Sequence, residues 1–268
     1  MSSIVSISLK NIFHKICKNK FEKIAIIFYI FFIFFSGLSL SYVQNAMSYK
    51  YASEISIILI LMPLVYNLKK NLSFKKTFYL IFILAFLILC IEYIALITHY
   101  PYGSFRYNPN LSGQINDILP WTTGFSYLPL LFGATSLSYF FSKKTLYRII
   151  LSALILLTLD LVLDPGAVSI GIWSYANKGV YYSVPISNFI GWVITGSLMS
   201  MITIKLLKNF PKERLLSLTY GFCISIFLWT WIALLKNLWI PFAIGVFVII
   251  YLLMIYSKYE KSSSLFKA

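Results

Sequence analysis

The segment Thr77–Thr98, TFYLIFILAFLILCIEYIALIT, carries a single charged side chain, Glu92, in twenty-two residues. As a helix it rises ~33 Å, enough to cross the ~30 Å hydrocarbon core of a bilayer. Seven more apolar runs of similar length follow the same logic: 23–42, 51–68, 120–141, 146–163, 185–206, 215–235 and 239–256. Hydrophobic residues make up 59% of the chain and charged residues 12%, a balance that excludes an ordinary soluble domain. The sequence therefore predicts an all-α polytopic membrane helix bundle of eight transmembrane helices, forming one integral membrane domain over residues 1–268. The connection at Lys236–Leu238 is very short, which leaves seven spans as the alternative.

The net charge of +15 raises the question of a nucleic-acid partner, and the placement of the charges answers it. With the N-terminus inside, 19 of the 23 Lys and Arg fall in cytoplasmic segments; only Lys50, Arg106, Lys178 and Lys236 lie outside. This positive-inside pattern reports orientation and attraction to anionic lipid, not nucleic acid. It predicts a multi-pass protein of the cell membrane with both termini cytoplasmic, residues 1–22 as a flank and 257–268 as a tail. The first twenty residues hold Lys10, Lys15, Lys18 and Lys20 without a cleavage-site pattern and read as flank rather than signal peptide. Cys17, Cys90 and Cys223 have no pairing or ligand spacing, and with only His14 and His99 a His-based metal centre is not expected.

The eight carboxylates divide by side. Glu22, Glu213 and Glu260 sit among cytoplasmic basic residues as solvated charges, whereas Glu54, Glu92, Asp117, Asp160 and Asp164 all map to the outer half of the bilayer or the outer loops. Glu92 lies about six residues from the outer end of its span and Asp160 about one turn from the end of its own, so their depths match and they can face one pocket. An Asp near the middle of a span costs ~3 kcal/mol on insertion scales, less near the interface, and such groups usually face a bundle interior or cavity. The competing reading is that Asp160 and Asp164 are helix-end groups bonded to nearby Ser, Tyr or Trp.

Two long outer segments, His99–Trp121 (HYPYGSFRYNPNLSGQINDILPW) and Asp164–Pro185 (DPGAVSIGIWSYANKGVYYSVP), are dense in Tyr, Trp, Gly and Pro. Aromatics at this level often form only an interfacial belt, but the glycines imply tight turns and loops folded into a lid. A weak repeat is visible: an acid near the outer end of a span, an aromatic loop, then a Pro that opens the next span, once as Glu92 to Pro120 and once as Asp164 to Pro185. Ser187 and Gly191 form a small-xxx-small pair suited to packing inside the bundle.

Neighbouring carboxyls in a low-dielectric site hold protons more tightly, and one can stay protonated while another is ionised. Asp160 and Asp164, at i and i+4, share a helix face and can couple in this way. A protonated carboxyl can protonate an isolated trisubstituted alkene, aromatic faces stabilise the tertiary cation, and a carboxylate can take a proton from attacking water. No cofactor is needed for that chemistry.

The segment Leu159–Gly196, LDLVLDPGAVSIGIWSYANKGVYYSVPISNFIGWVITG, resembles the signature of the carotenoid biosynthesis membrane proteins that include carotenoid 1,2-hydratases and bisanhydrobacterioruberin hydratases. The matching positions are Asp160, Asp164, Pro165, Gly171, Trp173, Gly179, Tyr181, Tyr182, Pro185, Ser187, Asn188, Phe189, Gly191 and Trp192. The stretch Glu92–Tyr107 is similar to a second family motif, departing from it with His99 in place of a usual Gly and Tyr102 in place of Phe. The resemblance implies addition of water to the terminal double bonds of an acyclic C40 or C50 carotenoid. It also implies a lipid-dissolved substrate, surrounding membrane lipid, and other carotenoid-pathway enzymes as candidate neighbours.

On physical grounds Asp160 or Asp164 is the expected proton donor and Glu92 the ionised partner. Trp173, Tyr181, Tyr182 and Trp192 are expected around the cation, Asn188 and Ser187 near the water, and Tyr102 and Arg106 in the substrate pocket. Arg106 and His99 either tune the acids or belong to the lid. Two other readings use the same residues: an end-group cyclase, in which an internal double bond captures the cation, and a small proton-coupled carrier with Glu92 and Asp160 as its proton site.

Overall fold

The computed structural model describes residues 20–42 and 46–265. Most of the expected N-terminal flank, including His14 and Cys17, lies outside those residues. Among the described residues nine helices carry the fold: α1 (Lys20–Tyr42), α2 (Ala46–Lys69), α3 (Phe74–Thr98), α4 (Thr123–Phe141), α5 (Thr145–Ser169), α6 (Ile186–Leu207), the short α7 (Lys212–Ser217), α8 (Tyr220–Leu235) and α9 (Trp239–Leu265). The bundle is all-α and polytopic, with seven helices among the described residues long and apolar enough to cross a membrane. The break at Lys236–Leu238 is real: Asn237 turns with φ 56° and Leu238 N–H closes the end of α8 on the Ala233 carbonyl at 2.8 Å. Helix α9 continues to Leu265, through most of the segment expected as a tail.

The long helix outside that group of seven is α4, and its position explains its composition. Every residue from Tyr127 to Ser138 is buried, because α4 packs against α2, α3, α5, α6 and α8. A helix enclosed by protein needs no lipid-facing apolar surface, and small residues let neighbours approach closely. A Cβ on Gly133 would meet Phe222 Cβ at 2.3 Å, and one on Gly124 would meet the Ala85 carbonyl at 2.4 Å. The outer helices instead expose apolar side chains, such as Phe86 and Ile83 on α3.

Helix α5 runs six residues past the span read from sequence, which ended at Leu163. Pro165 cannot donate to the Leu161 carbonyl four residues back, yet the helix continues because the Tyr181 hydroxyl supplies the missing donor at 2.9 Å. The same device recurs in α2, where Pro63 frees the Leu59 carbonyl and Tyr29 donates to it at 2.9 Å. The second long loop thus starts at Ile170, not Asp164, and both Asp residues stand inside a helix.

The two long loops fold together at one end of the bundle. Strand β1 (Phe105–Tyr107) is in the first loop and pairs antiparallel with β4 (Trp173–Tyr175) in the second, with Phe105 opposite Tyr175 and Tyr107 opposite Trp173. Within the first loop, β2 (Gln114–Ile115) and β3 (Leu119–Pro120) form a hairpin. Glu54 on α2 holds that hairpin, accepting from Gly113 N–H at 3.2 Å and Trp121 Nε1 at 3.3 Å. The expected repeat breaks here: Pro185 caps α6, but Pro120 sits in β3 and α4 starts at Thr123. Pairing with Gln114 keeps that residue extended instead of opening a helix.

Candidate active site

Below the loop ribbon lies a cavity of about 200 Å³ framed by α2, α3, α4, α5, α6 and α8. Three sequence signals bring acids to it. Glu92 projects from α3 and Asp164 from α5, and both line the wall; Asp160, one turn behind Asp164, is fully buried against it. Asn188, in the first turn of α6, ties the two aspartates together. Its Nδ2 donates to Asp164 Oδ2 at 2.5 Å and to Asp160 Oδ2 at 3.0 Å, so both carboxyls meet at one amide nitrogen.

Each acid on the wall also receives a phenol from the ribbon. Tyr107 donates to Glu92 Oε1 at 2.6 Å and Tyr175 to Asp164 Oδ2 at 2.7 Å. Burial, and then the facing Glu92, push the Tyr107 phenol well above its ordinary range; burial, and then Asp164 and Asp160, do the same to Tyr175. Both therefore stay protonated and act as donors. Strand alternation places them: in Phe105-Arg106-Tyr107 and Trp173-Ser174-Tyr175 the outer members of each triplet face the cavity, while the middle residue points away.

That alternation removes Arg106 from the cavity. It is exposed and bonds across the ribbon to Ser174 Oγ at 3.4 Å. His99 is also exposed, occupying the left-handed C-cap of α3 with φ 65°, a conformation that suits the Gly usual in the related motif. Tyr181 and Tyr182 stand outside the lining: Tyr181 is spent on Leu161, and Tyr182 accepts from Ile240 N–H at 3.3 Å. Ser187 donates to the Tyr102 carbonyl at 3.1 Å, and a Cβ on Gly191 would strike Tyr102 Cδ1 at 2.3 Å. The small pair on α6 thus seats the loop that carries Tyr102 instead of another helix.

Tyr102, Trp173, Asn188 and Trp192 do line the cavity. Tyr102 bonds Thr195 Oγ1 at 2.8 Å. Sequence reasoning missed Phe105, Tyr107, Tyr127, Tyr175, Thr195 and Trp229, which also line it. The repeated aromatic-polar-aromatic triplet was the readable signal for the ribbon residues. Tyr127 sits in the enclosed helix α4, 5.2 Å from Trp192 ring to ring. Its hydroxyl and Trp173 Nε1 are buried without a hydrogen-bond partner among the described residues. Buried polar groups are nearly always satisfied, so Tyr127 and Trp173, which both line the cavity, leave open polar positions on a wall of aliphatic, aromatic and hydroxyl side chains.

The fold and site define a polytopic membrane protein with a carboxylate- and aromatic-bearing cavity set within its bundle. Residues 50–252 match the carotenoid biosynthesis protein family, and the chain belongs to that family. It is 32% identical over 116 residues to the bisanhydrobacterioruberin hydratase of Haloarcula japonica, a match covering 42% of this chain and 39% of that protein. No solved structure matches the chain.

Proposed function

We propose that this protein is a carotenoid hydratase, adding water to the terminal double bond of an acyclic C40 or C50 carotenoid. The observation that carries the reading is the pair Asp160 and Asp164 on one Asn188 amide, with Asp164 and Glu92 lining the same cavity as several aromatic rings. Two carboxylates meeting at a single donor repel one another, so the pair holds one proton between them. Asp164, the member on the wall, delivers it, while Asp160 behind it shares and replaces it.

In the first step the carboxyl O–H breaks and its proton forms a C–H bond at the less substituted alkene carbon. The tertiary cation left behind lies among Trp173, Trp192, Phe105 and Tyr127, whose ring faces stabilise positive charge. Water then forms the C–O bond and gives a proton to Glu92, which Tyr107 orients. Return of that proton to the aspartate pair completes the cycle. The sum is alkene plus water to tertiary alcohol, with no redox change, so the proposal calls for no cofactor. Tyr181 takes part indirectly, by keeping α5 helical across both aspartates.

Capture by water is favoured over cyclisation by the unpartnered Tyr127 hydroxyl and Trp173 Nε1 of the cavity lining, which suit bound water, and by the name of the relative. The positive-inside pattern supports termini in the cytoplasm and the loop end outside, where water reaches the site and the pigment enters from lipid. Pigment extracted from a carotenoid-producing host with and without the gene tests the reading: hydration adds one water per reacted end, whereas cyclisation leaves the mass unchanged. A pigment profile that the gene does not alter, together with solute flux in pigment-free proteoliposomes, would replace it with a carrier.

A further inference from the structure

Between α2 and α3 runs a second hollow of about 270 Å³, almost entirely apolar. Ile57, Leu61 and Val65 form its wall on α2, and Phe74, Phe78 and Phe82 its wall on α3. Both sets repeat every four residues, so each is one continuous helical stripe, and the phenylalanine stripe alone rises ~12 Å. Rings continue along it toward the active site: Phe78 to Phe82 at 4.2 Å, Phe82 to Phe125 at 5.4 Å, and Phe125 to Trp121 at 5.7 Å between centroids. Ile57 and Thr122 belong to this hollow and to the catalytic cavity alike, so the two adjoin. The far end, at Phe74, is the first turn of α3 and lies away from the loop ribbon.

We infer that this groove holds the conjugated polyene chain of the substrate while the end group sits at Asp164. The inference rests on the hydratase reading and extends it. A cavity of about 200 Å³ receives an end group but not the whole of a C40 or C50 chain, and the remainder has to leave through an apolar opening that touches the cavity. The groove is such an opening. Its ring ladder offers a rigid planar polyene aromatic contact along its length. Phe78 and Phe82 are about half exposed, which gives the chain sideways entry from the bilayer. The polyene then lies along α2 and α3 with its second end group near Phe74, remote from the acids, so one end reacts per binding event.

Photo-crosslinking tests the groove in otherwise intact protein. With p-benzoylphenylalanine in place of Phe78, irradiation of membranes from a carotenoid-producing host is expected to give a protein-bound adduct that absorbs as a polyene. The same group in place of Ile83, an exposed position of α3 off that stripe, is expected to capture acyl lipid. Acyl lipid alone at both positions, in membranes that still form hydrated pigment, overturns the groove and leaves the hydratase intact. Absence of hydrated pigment from the unmodified protein overturns the hydratase reading itself. Independently, Leu61→Trp narrows the groove away from the acids and is expected to raise KM for the carotenoid at least tenfold with kcat within about twofold. An unchanged KM in folded protein counts against the proposal.

Discussion

The Tyr175 hydroxyl donates a 2.7 Å hydrogen bond to Asp164 Oδ2, reaching from the loop ribbon into helix α5. Tyr107 makes the equivalent bond to Glu92 at 2.6 Å, and the two tyrosines lie on paired strands. One two-stranded ribbon thus sets the orientation of acids on two different helices. Hydrogen bonds to charged groups contribute about 1.5–3 kcal/mol. Tyr175→Phe is therefore expected to lower kcat about 10- to 150-fold while the bundle stays folded, measured by product formation in membranes with equal protein.

Replacing each acid by its isosteric amide separates chemistry from packing. Asp160→Asn, Asp164→Asn and Glu92→Gln keep volume and one acceptor oxygen, while an NH2 donor replaces the other, and they remove the transferable proton or the charge. General acid–base groups are worth about 10²- to 10⁴-fold, and losses in that range are expected for all three. Wild-type rates in all three variants would remove the acid mechanism.

Tyr181 and Pro165 give a prediction about stability alone. Tyr181→Phe leaves the Leu161 carbonyl without its donor and is expected to cost about 1–3 kcal/mol, seen as a lower thermal midpoint in detergent. Adding Pro165→Ala restores a backbone N–H four residues after Leu161, so the double variant is expected to recover most of the loss. Additive losses would show that the tyrosine acts elsewhere.

Gly191→Ala addresses the seat of the first loop. The added methyl strikes the Tyr102 ring and is expected to displace it from Thr195. The outcome is at least a tenfold loss of activity, accompanied by increased proteolysis between Thr98 and Thr123 while the remaining bundle resists cleavage.

Much of this arrangement is written in the local pattern of the chain. Apolar run length finds the helices, and the scarcity of carboxylates makes Glu92, Asp160 and Asp164 conspicuous against hydrocarbon. The enclosure of α4 is not legible, because an apolar run looks alike whether lipid or protein surrounds it. Pro165 misleads for a related reason: it ends a helix locally unless a donor arrives from elsewhere, and that donor is Tyr181, sixteen residues on. Tyr107 and Tyr175 stay hidden among many aromatics until the pairing of two loops, a nonlocal event, aims them at the acids. Arg106, the one Lys or Arg in the first loop, draws attention by type, but strand alternation turns it outward.

Incubating the purified protein with an acyclic carotenoid in ¹⁸O-labelled water, then weighing the pigment by mass spectrometry, reads the proposed reaction at the bond it forms. Acid-initiated hydration requires a product heavier by one labelled water per reacted end, with ¹⁸O at a tertiary carbinol, and no such product from Asp164→Asn. Pigment of unchanged mass, or a new carbinol carrying unlabelled oxygen, would contradict it.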